Sequence, residues 1–382
     1  MIQPATRAGA VFASTLACLA LLGCSSDAEE PDAATTLHEV ELPGSPSPHV
    51  ALADTGAGVM VVLGDQLVFV PPTGPAVVVH RAERLHGALA VDDAHVYFAT
   101  QKKGRESFAQ PRGNVGPEPT PDGQIYRVSK APPFTPEPLA PVGILTGRLA
   151  LDAGHLFACE SPGLNGEGGL LDLPLTAPAS AKHHRMRFNE YCRGVAADGE
   201  RLFLAVDRSF KTDIVDGRPV AYEKGVVLAS VPRSADPPWA AGAGPGTLVA
   251  TEVKSVRDFF VRGGEVTLVA DDVALGFTRD GKRAGEFRWG TYGLAAPLGD
   301  AGWVWSKDSS AGKDSGRVCT GGRLYAGGSA SAGREVTQAV CYAKAFATTA
   351  TDLLWVDAAY ITPGGAGDTT RYRVKRVARP AP

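Results

Sequence analysis

Five carboxylates recur at one place in a tandem pattern of this 382-residue chain: Glu160, Asp207, Asp271, Asp308 and Asp357 each follow an apolar, β-like run. If those runs converge, the acids form an oxygen-rich cluster, the ligand chemistry of Ca²⁺ or another hard cation. A bound cation that activates water would make the chain a metal-dependent hydrolase or lyase. The competing reading is local, because aspartate starts turns by accepting hydrogen bonds from its own backbone. Arg148, Arg193, Arg257 and Lys344 stand near the start of the first run of their units. There they either receive an anionic ligand or pair with the acids themselves.

The remaining reactive side chains fit no catalytic pattern. His95 and His155 occupy equivalent places, at the turn before the second run of a unit, where other units put Arg201, Glu265, Trp303 or Asp352. A place filled so variously is a solvated turn. His183 and His184 are adjacent, and neighbours on a strand point to opposite faces. The sequence has no His-Glu-x-x-His, no Gly-x-Ser-x-Gly and no Gly-x-x-x-x-Gly-Lys, the arrangements that place a zinc ion, a serine nucleophile or a phosphate. Lys313-Asp314-Ser315-Gly316 and Ser306-Lys307-Asp308-Ser309-Ser310 are fragments of longer motifs without the partners those motifs need.

Composition bounds what can position these groups. The chain is 44% hydrophobic and 21% charged, with 45 Gly and 29 Pro. That density of breakers excludes long helical bundles but stays below the roughly 25–30% of low-complexity disorder. The net charge is −3, and basic and acidic residues balance beyond residue 36, so nothing draws the body generally to nucleic acid or anionic lipid. The basic run from Arg371 to Arg379 alternates its charges along a β-like segment and reads as a solvated sheet face.

The N-terminus reads as an export signal. Arg7 precedes an apolar run of about 15 residues, too short to span a bilayer and of the length of a secretory h-region. The run ends in Leu21-Leu22-Gly23-Cys24, which resembles the lipobox of bacterial lipoproteins, with Leu22 where a small residue is more usual. The resemblance implies removal of residues 1–23, acylation of Cys24 and a membrane-anchored protein of the cell envelope, periplasmic or surface-exposed. Residues 24–36 are small, polar and acidic, a composition that makes a flexible tether. Four cysteines then remain, Cys159, Cys192, Cys319 and Cys341. An even number in an exported chain suggests two disulfides, with three connectivities open, and no Cys-x-x-Cys points to structural zinc.

From residue 37 to the end the chain is one repeating domain. Leu89–Ala99, Leu149–Ala158 and Val195–Leu204 each read as two short β runs around a polar turn, and weaker copies lie at Val50–Leu63, Phe259–Ala270, Leu294–Ser306 and Phe346–Asp357. That is a hairpin pattern, repeated every ~49 residues, a period found in radial arrays. Third runs follow, from Val68–Val70 to Thr370–Val377, and fourth runs are visible at Ala76–His80 and Arg283–Arg288. Four antiparallel strands per unit, set radially, remove exposed edges. The chain is therefore similar to the broad TolB-like and NHL-like group of β-propellers. An all-β fold of about seven four-stranded blades is expected, six or eight being alternatives. An orphan strand, Leu37–Leu42, is expected to complete the last blade.

The repeat also arranges the rest. Cys159 and Cys319 end or follow second strands, and Cys192 and Cys341 open the next units, which favours Cys159–Cys192 and Cys319–Cys341. Each would close a loop worth about 3–4 kcal/mol in chain entropy. The long insertions Thr100–Gly123, Glu160–Gly168, Asp207–Lys224, Lys307–Gly321 and Asp357–Asp368 all join second to third strands and so share one face, a place for binding loops. The expectation is a non-enzymatic platform that engages an envelope protein, a glycan or a small ligand through that face. A lactonase-like metal-dependent enzyme is the alternative.

Overall fold

The computed structural model describes residues 35–43, 49–101, 123–160, 169–186, 190–207, 212–215, 218–221, 225–233, 246–289, 293–299, 302–307, 322–328, 333–361 and 369–380. Residues 1–23, Cys24, Asp308 and Cys319 lie outside them. So does most of the expected insertions: 102–122, 161–168 and 308–321.

Within each repeat, consecutive strands pair antiparallel and stay in chain order. Blade 1 spans residues 50–81, blade 2 84–142, blade 3 145–185, blade 4 191–250, blade 5 258–288, blade 6 295–340 and blade 7 343–378. The strand Thr35–Pro43 is the outermost strand of blade 7, antiparallel to Thr369–Ala378, with Val40 opposite Tyr372 and Pro43 opposite Thr369. It begins at Thr35 rather than at Leu37. The chain thus forms a seven-bladed β-propeller whose first strand clasps its last blade. A small hairpin, Thr212–Val215 with Arg218–Ala221, is inserted between the second and third strands of blade 4.

Four outermost strands escaped the sequence pattern: Glu137–Val142, Lys182–Arg185, Gly246–Ala250 and Arg334–Val340. An outer strand pairs on one edge only and faces water, so it needs no apolar alternation. Pro138 and Pro141 in the first of them are tolerated because an edge strand has ladder donors to spare.

The second strands are buried on both faces. In blade 3, Leu156 and Ala158 pack toward blade 2 while Phe157 and Cys159 pack toward blade 4. In blade 4, Leu202, Leu204 and Val206 face blade 3, and Phe203 and Ala205 face blade 5. The same alternation continues around the ring, to Leu353 and Trp355 on the blade 6 side of blade 7 and Leu354 and Val356 on its blade 1 side. The core is therefore seven slabs between neighbouring sheets. Each large apolar side chain in a slab contributes on the order of 1.5–3 kcal/mol.

Near the axis the inner strands of neighbouring blades touch through backbone. The inner strand of blade 2 is split into Arg84–Leu85 and Ala90–Val91, and His86 lies in the bulge between them. Its amide donates to Ala99 O at 2.9 Å, and its Nε2 is 2.7 Å from Gly147 O in blade 3. Gly147 has φ +70°, and a Cβ there would run into the carbonyl of Arg193 in blade 4. Burial holds the His86 imidazole down to about 4 from its ordinary 6.5, so the folded ring is neutral with its proton on Nε2, donating to Gly147.

Because the folded value is depressed, the unfolded chain takes up this proton near pH 6.5 while the folded chain does not until about pH 4. Stability from this group is full above pH 6.5 and lost as pH falls toward 4, by about 3 kcal/mol. Denaturant unfolding of the wild type and His86→Gln between about pH 7 and pH 4.5 should show the slope in the wild type and a shallower one in the variant.

Candidate functional site

The second-to-third-strand connections and the starts of the inner strands share one face of the ring, and there the sequence placed its acids and bases. Around the mouth each described acid is held by its own blade or by the segment leading into it. Glu160, the last residue of the second strand of blade 3, accepts from the Gly143 amide through Oε1 at 2.8 Å and lies 2.9 Å from His183 Nδ1 through Oε2. The hydrogen bond to Glu160 raises the His183 pKa above its ordinary value against the opposing effect of burial.

In blade 4, Asp207 accepts from Arg193 Nε at 3.2 Å and Nη2 at 2.9 Å. The Arg193 guanidinium also lies over the Tyr191 ring. In blade 5, Asp271 accepts from Arg257 Nε at 2.7 Å and Ser255 Oγ at 2.9 Å, which together hold its carboxyl below the usual range. Arg148 crosses from blade 3 to blade 5, pairing with Asp258 at 2.9 Å and covering Phe260. Lys344 lies over Tyr342.

Asp357 is the most deeply engaged of the five. The second strand of blade 7 runs on to Ile361, so Asp357 lies within the ladder instead of at its end. Its Oδ1 accepts from the amides of Cys341 at 2.7 Å and Tyr342 at 3.0 Å, and its Oδ2 accepts from Lys375 Nζ at 2.8 Å. Asp357 is 1% exposed and Lys375 6%. Lys375 departs from the solvated face expected of the basic C-terminal run: Tyr372 and Val374 are buried beside it, while Arg371 and Arg373 are partly exposed. Sequence reasoning missed Lys375 because its alternation alone does not say which strand lies across from it.

The acids are therefore not brought together. Among the described residues, no three His, Cys, Asp or Glu side chains stand close enough to hold a metal ion. Arg193 and Arg257 take the acid-partner role of the two readings left open for them. The expected bridge Cys159–Cys192 is present and ties the second strand of blade 3 to the inner strand of blade 4. Beside it, Thr146 Oγ1 donates to Cys192 O at 2.6 Å. Cys341 is also disulfide-bonded, and its expected partner Cys319 lies outside the described residues.

No protein-family model and no curated protein matches the sequence. Among solved structures, the chain is similar to the CNH domain of AfRom2, at 8% identity over 89% of this chain and 98% of that one, with a TM-score of 0.51. It is also similar to BamB from Moraxella catarrhalis, at 12% identity over 89% and 97% and a TM-score of 0.40. A third likeness is to regucalcin from Agrobacterium tumefaciens, a calcium-binding protein, at 11% identity over 92% and 96% and a TM-score of 0.40. Identities this low speak to fold alone: the protein belongs to the architectural class of β-propellers.

The Asp357–Lys375 pair makes a direct test of how the mouth is held. Asp357→Asn leaves a buried ammonium without its counter-charge and should cost about 3–5 kcal/mol, whereas Asp357→Asn combined with Lys375→Met should recover much of the loss. Denaturant midpoints of the two variants measure both outcomes.

Proposed function

We propose that this protein is a lipid-anchored bacterial envelope protein whose propeller serves as a rigid binding platform through its long-connection face. The observation that carries the reading is an asymmetry between the two faces. Turns between first and second strands are short in every blade, as at Asp152 to His155 or Arg262 to Glu265. The second-to-third connections run from Gln101 to Gly123, Glu160 to Gly169, Asp207 to Val226 and Lys307 to Gly322. The three longest connections, after Gln101, Asp207 and Lys307, all lie on one side of a closed scaffold, the longest on the other being Pro232 to Gly246, and rigid folds present binding loops in this way.

The route of the chain supports the same reading. Thr35 pairs with Arg376 and Pro43 with Thr369, so the first strand enters the ring on the face opposite the long connections. A tether ahead of Thr35, ending in a lipid on Cys24, holds the long-connection face away from the membrane and toward an envelope protein, a glycan or a small ligand. The paired charges at the mouth leave recognition to the loops.

Fractionation of cells expressing the full chain tests the anchor: the wild type should sediment with membranes and Cys24→Ala should be released with its fold intact. Capture from envelope extracts tests the platform. A chain shortened across residues 102–122 should retain fewer partners than the wild type, and equal capture by both would remove that connection from the proposed surface.

A further inference from the structure

The seven slabs are not equally filled. In blades 2, 3 and 4 the third residue of the second strand is aromatic, Tyr97, Phe157 and Phe203, directly opposite Arg127, Asp172 and Ser230 on the third strand. In blades 3 and 4 the first residue of the second strand closes this corner. His155 Nδ1 lies 2.6 Å from Asp172 Oδ1, and Arg201 Nε donates to Ser230 Oγ at 3.0 Å. Blade 5 keeps the register and changes the residues, with Thr267 opposite Gly276 and Glu265 as the first residue.

The corner there is hollow. A cavity of ≈ 310 Å³ opens between blades 5 and 6, bounded by Arg262, Glu265, Thr267, Gly276, Phe287 and Trp303. That volume is at the lower end of small-ligand pockets, about 300–1,000 Å³. Phe287 and Trp303 form one wall, their rings stacked 5.1 Å apart at 5°, with the Arg262 guanidinium 5.2 Å from the Trp303 centroid. Glu265 is exposed, and its side chain makes no hydrogen bond or ion pair among the described residues. Its carboxylate reaches over Gly276, where an added Cβ would stand 2.9 Å from Oε2. The acid thus faces a place from which the blade has removed both the ring and the polar partner that blades 3 and 4 supply.

We propose that this hollow is a ligand site for a small molecule joining a flat apolar ring to a cationic nitrogen, an arylamidine or an arylalkylamine. The ring occupies the space that Phe157 and Phe203 fill in their own blades. The cation gives Glu265 the donor that Gly276 cannot give, in a charge-assisted hydrogen bond. The site is near the short-turn face, away from the long connections, so it stands or falls separately from the platform.

Calorimetric titration of the full chain with benzamidine, and with benzamide as its uncharged counterpart, tests the assignment. Saturable binding of benzamidine at about millimolar concentrations or below, at least tenfold tighter than benzamide, is the expected result. Glu265→Gln should weaken it at least tenfold. Thr267→Phe, which restores the ring of the neighbouring blades, should abolish it, with thermal unfolding confirming that both variants remain folded. No saturable binding to the wild type overturns the proposal, as does equal binding of benzamide, or binding that survives both substitutions unchanged.

Discussion

A blade is a sheet with two apolar faces, and neither can be left in water. Each of the seven sheets therefore depends on its two neighbours, and the row of sheets is stable as a unit only when it bends round to meet its own beginning. The alternation of Leu156 and Ala158 against Phe157 and Cys159 states that requirement inside a single strand. It also explains why the contacts near the axis are so close. Gly147 is without a side chain because the carbonyl of Arg193 occupies the space, and His86 is dry enough to stay neutral while it binds blade 3.

The architecture was legible in the chain because the second strands are buried twice over. Continuous apolar runs such as Val96–Ala99 and Leu202–Val206 stand out against polar turns, and their spacing yields the blades and a count of about seven. The closing strand was legible too, since a lone β run before the first unit has nowhere else to pair. Outer strands were not: Lys182–Arg185 is all charged or imidazole-bearing, and nothing in such a segment separates a strand from a loop. The split inner strand of blade 2 was equally silent, because a bulge is a matter of register.

The site was legible in residue type and less so in arrangement. The four described acids do mark one face of the ring, and Arg193 and Arg257 were identified as candidate partners. What the spacing did not reveal is that Arg148 would reach past blade 4 to Asp258, or that Asp357 would lie within the sheet and bond to Lys375. The first depends on a neighbour that a single repeat unit does not contain, and the second on the register between two strands of one blade. The hollow beside Glu265 has the opposite character: its residues are unremarkable in sequence, and only superposing one blade's register on the next shows what Thr267 and Gly276 leave out.

The clasp made by Thr35–Pro43 has a mechanical consequence. Thr35 stands at the end of a ladder that runs antiparallel to Thr369–Ala378. Traction applied from that end pulls the ladder in shear, so its rungs share the load and must give way together, where a pull from the side would open them one after another. The same nine residues that close the circle are therefore oriented to resist being drawn out of it.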